Sequence, residues 1–183
     1  GDLDKSINGI TDNSNFVNKN FLFFAIEGND FDGHRFIEDA ISKGANTIVC
    51  TKLPDNLIKD ITFIQVEDIR ESVYNISSNY YENPDQKIKI IAVTGTNGKT
   101  SIVYFLYQFF KSINVKVGMM STIEIRINDF ILDAKLTTPN PIEFLKILNE
   151  MVMKNCEYCF MEASSHAIHQ KRINGKNIFA AIF

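Results

Sequence analysis

The segment Val93-Thr94-Gly95-Thr96-Asn97-Gly98-Lys99-Thr100-Ser101 restricts what this chain can fold into more than any other feature. It continues the run Lys89-Ile90-Ile91-Ala92-Val93, apolar and rich in β-branched residues, which predicts a strand buried on both faces of a parallel sheet. It leads into Thr100 to Ile113, where Ile102, Phe105, Leu106, Phe109, Phe110 and Ile113 recur at helical spacing and predict an amphipathic helix packed on that sheet. Strand, glycine-rich turn and helix in direct succession bring backbone N–H groups and the positive end of a helix dipole to one point, which makes an anion site. Gly95, Thr96, Asn97, Gly98 and Ser101 are the candidate cradle for phosphates, Lys99 the cation for the outer phosphates, and Thr100 the hydroxyl for a magnesium ion. ATP with Mg2+ is the ligand that uses all of these. The spacing departs from the common G-x-x-x-x-G-K-[ST] form, because Val93 stands five places before Gly98.

The rest of the chain alternates strands and helices. Phe21 to Ile26 predicts a strand, Glu27-Gly28-Asn29-Asp30 a turn, and Gly33 to Lys43 a helix with Phe36, Ile37, Ala40 and Ile41 on one face. Thr47 to Thr51 and Ile61 to Val66 predict two more strands, and Asp68 to Tyr81 a helix carrying Ile69, Val73, Ile76 and Tyr80. Asn83-Pro84-Asp85-Gln86 then interrupts the pattern, and proline disfavours helix at the residue before it. This predicts a boundary between two α/β units, residues 1–85 and 86–183. In the second unit Val115 to Met120 predicts a strand, Ile123 to Leu132 a hairpin about Asn128-Asp129, and Pro141 to Lys154 a helix. A strand over Tyr158 to Met161, a short helix near Ser164 to Lys171 and a strand from Ile178 follow. An apolar strand at Ala180 to Phe183 calls for further partner elements, so the sequence reads as the front part of a longer protein.

Composition excludes several classes. With 45% hydrophobic residues the chain can bury a core, and a formal charge of −3, with both signs interspersed, offers no footprint for nucleic acid or anionic lipid. No segment has the length and apolarity of a membrane span, and the first residues lack a signal peptide's pattern, which predicts a cytoplasmic protein without membrane insertion. Three cysteines make no disulfide framework. Cys156 and Cys159 have metal-motif spacing but no second ligand pair, and they border a strand, where residues three apart face opposite ways. They are expected to be buried thiols.

The loop Thr94 to Thr100 resembles the phosphate loop of the Mur ligase family. Thr137-Thr138-Pro139 before a helix is similar to the Thr-Thr-Pro segment of the member that adds the third amino acid. Met161-Glu162-Ala163-Ser164-Ser165-His166-Ala167-Ile168 with trailing Gln170 and Arg172 resembles its Met-Glu-Val-Ser-Ser-His-Ala-Leu segment. Gly28 to Ile37 resembles the loop and helix holding the UDP part of the substrate, so the likeness reaches almost the whole chain. It implies a small UDP-substrate-binding α/β domain followed by an incomplete parallel-sheet domain of phosphate-loop NTPase type.

It also implies roles. Lys99 and Glu162 would be catalytic, with Thr100 and Glu162 toward magnesium. Ser14, Asn29, Asp30, Phe31, Thr137, Thr138, Ser164, Gln170 and Arg172 would contact a UDP-muramoyl-dipeptide, and an amino acid would be the third substrate. A carboxylate at the C-terminal end of a parallel strand beside the phosphate loop suits this, as does arginine for capturing carboxylate or phosphate. His166 and His169 are given no catalytic role, and Lys171 is read as a solvated charge. Where the family usually has Asp-Ser-Arg, this chain has Asn13-Ser14-Asn15, which puts one charged nucleotide contact in doubt. The relatives' second-metal, carbamylated-lysine and amino-acid-binding parts are expected beyond Phe183, and the piece alone to be inactive. Other classes compatible with parts of the pattern are a non-catalytic binding module, an ordinary phosphate-loop kinase or NTPase, and a folate- or cyanophycin-type ligase.

Overall fold

The computed structural model describes residues 4–28, 32–134, 138–173 and 175–183. They form two compact α/β units, Gly1–Val73 and Tyr74–Phe183. In the first, β1 (Gly9–Thr11), β2 (Phe21–Phe24), β3 (Ala45–Cys50) and β4 (Thr62–Gln65) make a sheet in sequential order, every neighbouring pair parallel. A 3-10 turn at Gly33–Phe36 runs into α1 (Ile37–Ser42), the crossover between β2 and β3. Ile37 and Ala40 of α1 meet Phe23, Ala45 and Ile48 of the sheet in one buried cluster. The short β1 lies outside the strands expected from periodicity, because three residues carry too little pattern to register.

The helix α2 (Ile69–Tyr80) contains the division between the units, which falls at Val73/Tyr74 and not at the Asn83–Gln86 break. Asp85, in the turn after α2, is buried. Its carboxyl accepts from Tyr74 Oη at 2.7 Å, Ser78 Oγ at 2.8 Å and Asn177 Nδ2 at 2.5 Å. Tyr74 lies in the same apolar cluster as Ile88 and Ile90. The later turns of α2 therefore pack with the second unit, and the proline-containing segment is an internal corner of it.

Among the described residues the second unit has six strands: β5 (Lys89–Val93), β6 (Val117–Met120), β7 (Glu124–Ile127), β8 (Phe130–Asp133), β9 (Tyr158–Glu162) and β10 (Ile178–Ile182). Their order is β10-β5-β9-β6-β7-β8, with the first four mutually parallel and β7 and β8 joined antiparallel at one edge. The hairpin turn is made with Asn128 at φ 53°, the left-handed region that asparagine tolerates in place of glycine. Alternation along β5 explains the layers. Ile90 and Ala92 join a cluster with Phe144, Leu145, Leu148 and Met151 of α4 (Pro141–Met153). Ile91 and Val93 join Val103 and Tyr107 of α3 (Lys99–Ser112) on the opposite face. The helix α4 starts where Asn140 Oδ1 accepts from Glu143 N at 2.9 Å, with Pro141 in its first turn.

The expected buried stripe of α3 holds at Leu106 and Phe110 and is corrected at its other positions. Phe105, Phe109 and Ile113 are 71%, 60% and 54% exposed, and the sheet-facing residues are Val103, Leu106, Tyr107 and Phe110. Phe110 sits 5.1 Å from the Phe160 ring, and Tyr107 Oη donates to the Asn128 carbonyl at 2.5 Å. A run with apolar residues on most sides of a helix lets periodicity centre the stripe to one side of the covered face. Among the described residues no helix is long and apolar enough to cross a membrane.

Candidate functional site

The C-terminal ends of β5, β9 and β6 lie side by side, with Val93 level with Glu162 and Met120 level with Met161. Open α/β sheets bind ligands at this edge, because the loops leaving neighbouring parallel strands converge there. From β5 the chain enters the loop Thr94 to Gly98, in which Gly95 (φ 133°) and Gly98 (φ 80°) take left-handed conformations that suit glycine. The helix α3 begins immediately after Gly98 without a side-chain cap. Its first N–H groups therefore open toward the loop, as an anion site requires. Lys99 Nζ donates to the Gly95 carbonyl at 2.7 Å and to the Thr96 carbonyl at 3.4 Å, folded back over the loop it would serve.

Glu162, at the end of β9, is 1% exposed, and three donors reach its carboxylate from both sides. Thr100 Oγ1 donates to Oε1 at 2.8 Å. Thr122, on the turn after β6, donates its backbone N–H to Oε1 at 2.9 Å and its hydroxyl to Oε2 at 3.0 Å. The pairing of Thr100 and Glu162, 62 residues apart in sequence, brings the two expected magnesium residues together. A hydroxyl and one carboxylate are donors that Mg2+ accepts when phosphate oxygens and water complete its shell. Among the described residues no cluster of three or more His, Cys, Asp or Glu forms a metal cage, so an ion here would depend on the nucleotide's own oxygens.

On the far side of Glu162, Thr138 is 1% exposed and donates its hydroxyl to the Glu162 carbonyl at 3.0 Å. The same hydroxyl accepts from Ser164 N at 3.4 Å, and Ser164 Oγ accepts from Ala167 N at 3.1 Å, starting α5 (Ser165–His169). Arg172 donates from Nη1 to the Thr138 carbonyl at 2.9 Å and from Nε to Gln170 Oε1 at 2.9 Å. Thr138, Ser164, Gln170 and Arg172 thus form one connected network behind Glu162. Thr138 spends its hydroxyl on the backbone within it, so its place there is that of a link between the β9 end and the following helix.

In the first unit Ser14 is buried, in a 3-10 turn whose cap is the Asn13 side chain. With Lys43 it hydrogen-bonds Asp39, and these bonds, that of Lys43 foremost, hold the Asp39 carboxyl below its ordinary range. Asn29, Asp30, Phe31 and Thr137 lie outside the described residues. Beside the first three, Asp32 caps His34 N at 3.0 Å and bonds His34 Nδ1 at 2.7 Å, and His34 Nε2 reaches Thr51 Oγ1 and Lys52 N at 3.3 Å each. The cysteines are buried and unpaired with one another, and burial pushes all three thiols up.

Thr122 is the residue that sequence reading passed over. Its signal was position alone: it follows the strand next to β9 at the ligand-binding edge.

An open, largely parallel sheet with a glycine-rich loop opening a helix and a carboxylate on the adjacent strand defines a nucleotide-binding α/β protein of the phosphate-loop class. Two family models together span nearly the whole sequence: "Mur ligase family, catalytic domain" matches residues 6–94 and "Mur ligase middle domain" residues 93–183. The chain belongs to the Mur ligase family. It is 40% identical, over its whole length, to the UDP-N-acetylmuramoyl-L-alanyl-D-glutamate–2,6-diaminopimelate ligase of Phocaeicola vulgatus, and spans 38% of that relative's length. A solved structure of a ligase with the same name matches 99% of this chain and 38% of its own, with a TM-score of 0.79 at 22% identity. The MurF ligase of Thermotoga maritima, solved in complex with ADP, shares the fold over 85% of this chain and 32% of its own, with a TM-score of 0.59 and 24% identity.

Proposed function

We propose that this chain carries the UDP-substrate and phosphate-loop parts of a cytoplasmic ATP-dependent ligase. The ligase joins a third amino acid to UDP-N-acetylmuramoyl-L-alanyl-D-glutamate during peptidoglycan synthesis. The observation that carries the reading is the hydrogen bond from Thr100 to the buried Glu162 carboxylate beside the glycine loop, with Arg172 and Gln170 on the far side of Glu162. The amino acid is lysine or diaminopimelate, and the name of the Phocaeicola relative favours diaminopimelate.

The chemistry needs a carboxylate to attack the γ-phosphorus of ATP with ADP leaving, after which an amine displaces phosphate from the acyl phosphate. Two anions must be brought together, so the protein's contribution is charge neutralisation and alignment. Lys99, whose ammonium rests on the Gly95 carbonyl, would exchange that acceptor for a phosphate oxygen. The backbone N–H groups from Gly95 to Ser101 fix the phosphate chain without further reorganisation. Thr100 and Glu162 would hold Mg2+, which when bound offsets charge on the transferring group. Arg172 offers a planar donor fork suited to the substrate's carboxylates.

The 183-residue chain tests the reading directly. Titration calorimetry should show UDP-muramoyl-dipeptide binding more tightly than UDP-glucose. Equal affinities would remove the peptide-side part of the reading, and no binding of either would remove the UDP-substrate assignment.

A further inference from the structure

Glu162 is held by more than the phosphate loop. Of the three donors on its carboxylate, two come from Thr122, one to each oxygen. The turn bearing Thr122 is built for this. Buried Ser121 donates its hydroxyl to the Glu124 carbonyl at 2.9 Å and accepts from Glu124 N at 3.1 Å and Ile123 N at 3.3 Å, while Ser121 N donates to the Glu124 carbonyl at 3.0 Å. These bonds close the β6–β7 connection so that the N–H and hydroxyl of Thr122 point back across the strand ends to Glu162. A carboxylate with one donor can rotate about its last torsion, whereas donors on both oxygens fix its plane.

We propose that Thr122 is a positioning residue for the magnesium site: it fixes the Glu162 carboxylate so that Thr100 and Glu162 present a prepared pair to Mg·ATP. This rests on the phosphate-loop and magnesium reading above. Thr122 follows β6, on the side of β9 away from the phosphate loop that follows β5, and it meets the site through the Glu162 carboxylate, so its effect is expected on the metal more than on the phosphates. The Thr100 hydroxyl can keep its proton on Glu162 Oε1 while its lone pairs turn toward a cation. That arrangement requires the carboxylate to stay where Thr122 holds it.

The test compares ATP binding with and without metal in the full 183-residue chain, using Mn2+ as a paramagnetic probe and Mg2+ in calorimetry. Thr122→Val keeps the volume and the N–H but removes the hydroxyl. It should weaken metal-dependent ATP binding about tenfold, the usual cost of losing a partner of a metal-ligating group. Metal-free ATP binding should stay within about twofold, and Thr122→Ser should restore the metal effect. Combining Thr122→Val with Glu162→Gln should add nothing to Glu162→Gln alone, since both act on one group. An unchanged metal effect in Thr122→Val, an equal loss of metal-free binding, additivity in the double variant or failure of serine to rescue would each overturn the positioning role. If Lys99→Ala abolishes binding while Thr122→Val does nothing, the ligase reading stands and this inference falls. Absence of metal-dependent nucleotide binding in the unaltered chain overturns both.

Discussion

At the scale of single residues, the site depends on groups whose partners are already in place. Glu162 is buried with three donors, and Thr138 and Arg172 brace the backbone beside it. Lys99 is the exception, because its ammonium rests on loop carbonyls that a triphosphate would displace it from. Lys99→Ala should therefore leave the thermal midpoint within a few degrees. It should also weaken ATP binding by about tenfold to a hundredfold, the range for losing a charge-assisted hydrogen bond of about 1.5–3 kcal/mol. A calorimetric titration that finds unchanged affinity would mean that the lysine does not meet the phosphates.

At the scale of elements, α3 shows how far periodicity reads and where it fails. The sequence places a helix at the right residues but offers apolar side chains on most of its circumference, and only the sheet decides which are covered. Val103 and Tyr107 are completely buried, while Phe105 and Phe109 face outward. Replacing Phe105 and Phe109 by serine should change unfolding free energy by no more than about 0.5 kcal/mol each, as for surface positions. Tyr107→Phe, by contrast, removes the hydroxyl bonded to the Asn128 carbonyl and should cost about 1 kcal/mol. Urea unfolding of the three variants checks both halves, and a large loss from the phenylalanine changes would restore the other stripe as the packed face.

At the scale of the whole molecule, the later turns of α2 are tied to the second unit at one buried carboxyl. Asp85 gathers Tyr74 and Ser78 of α2 and the distant Asn177 in the second unit. Asp85→Ala would leave these donors without their acceptor in a buried place, at a cost of about 3 kcal/mol, less than the sum of three separate bonds because the survivors can relax together. A urea midpoint indistinguishable from that of the unaltered chain would show that the corner is held by its apolar neighbours instead. The expected break at Asn83–Gln86 read the local chemistry correctly as a turn. It could not see that the turn's carboxyl was satisfied from both directions.

The sequence alone determined the order of most strands and helices, since their period and punctuation are local properties. It also determined the phosphate loop, because glycines, lysine and threonine must be consecutive to act on one phosphate chain. Segment likeness named Glu162, Thr138, Ser164, Gln170 and Arg172, but not how they connect. The tertiary structure decided what depends on strands meeting side by side: the order β10-β5-β9-β6, which sets Glu162 between the loop after β5 and the turn after β6. It also decided the covered face of α3 and the two bonds from Thr122. The bonds on the Glu162 carboxylate join residues 40 and 62 positions apart. No periodicity or short motif carries that information, because it exists only once hydrogen-bonded strands fix which loops are neighbours.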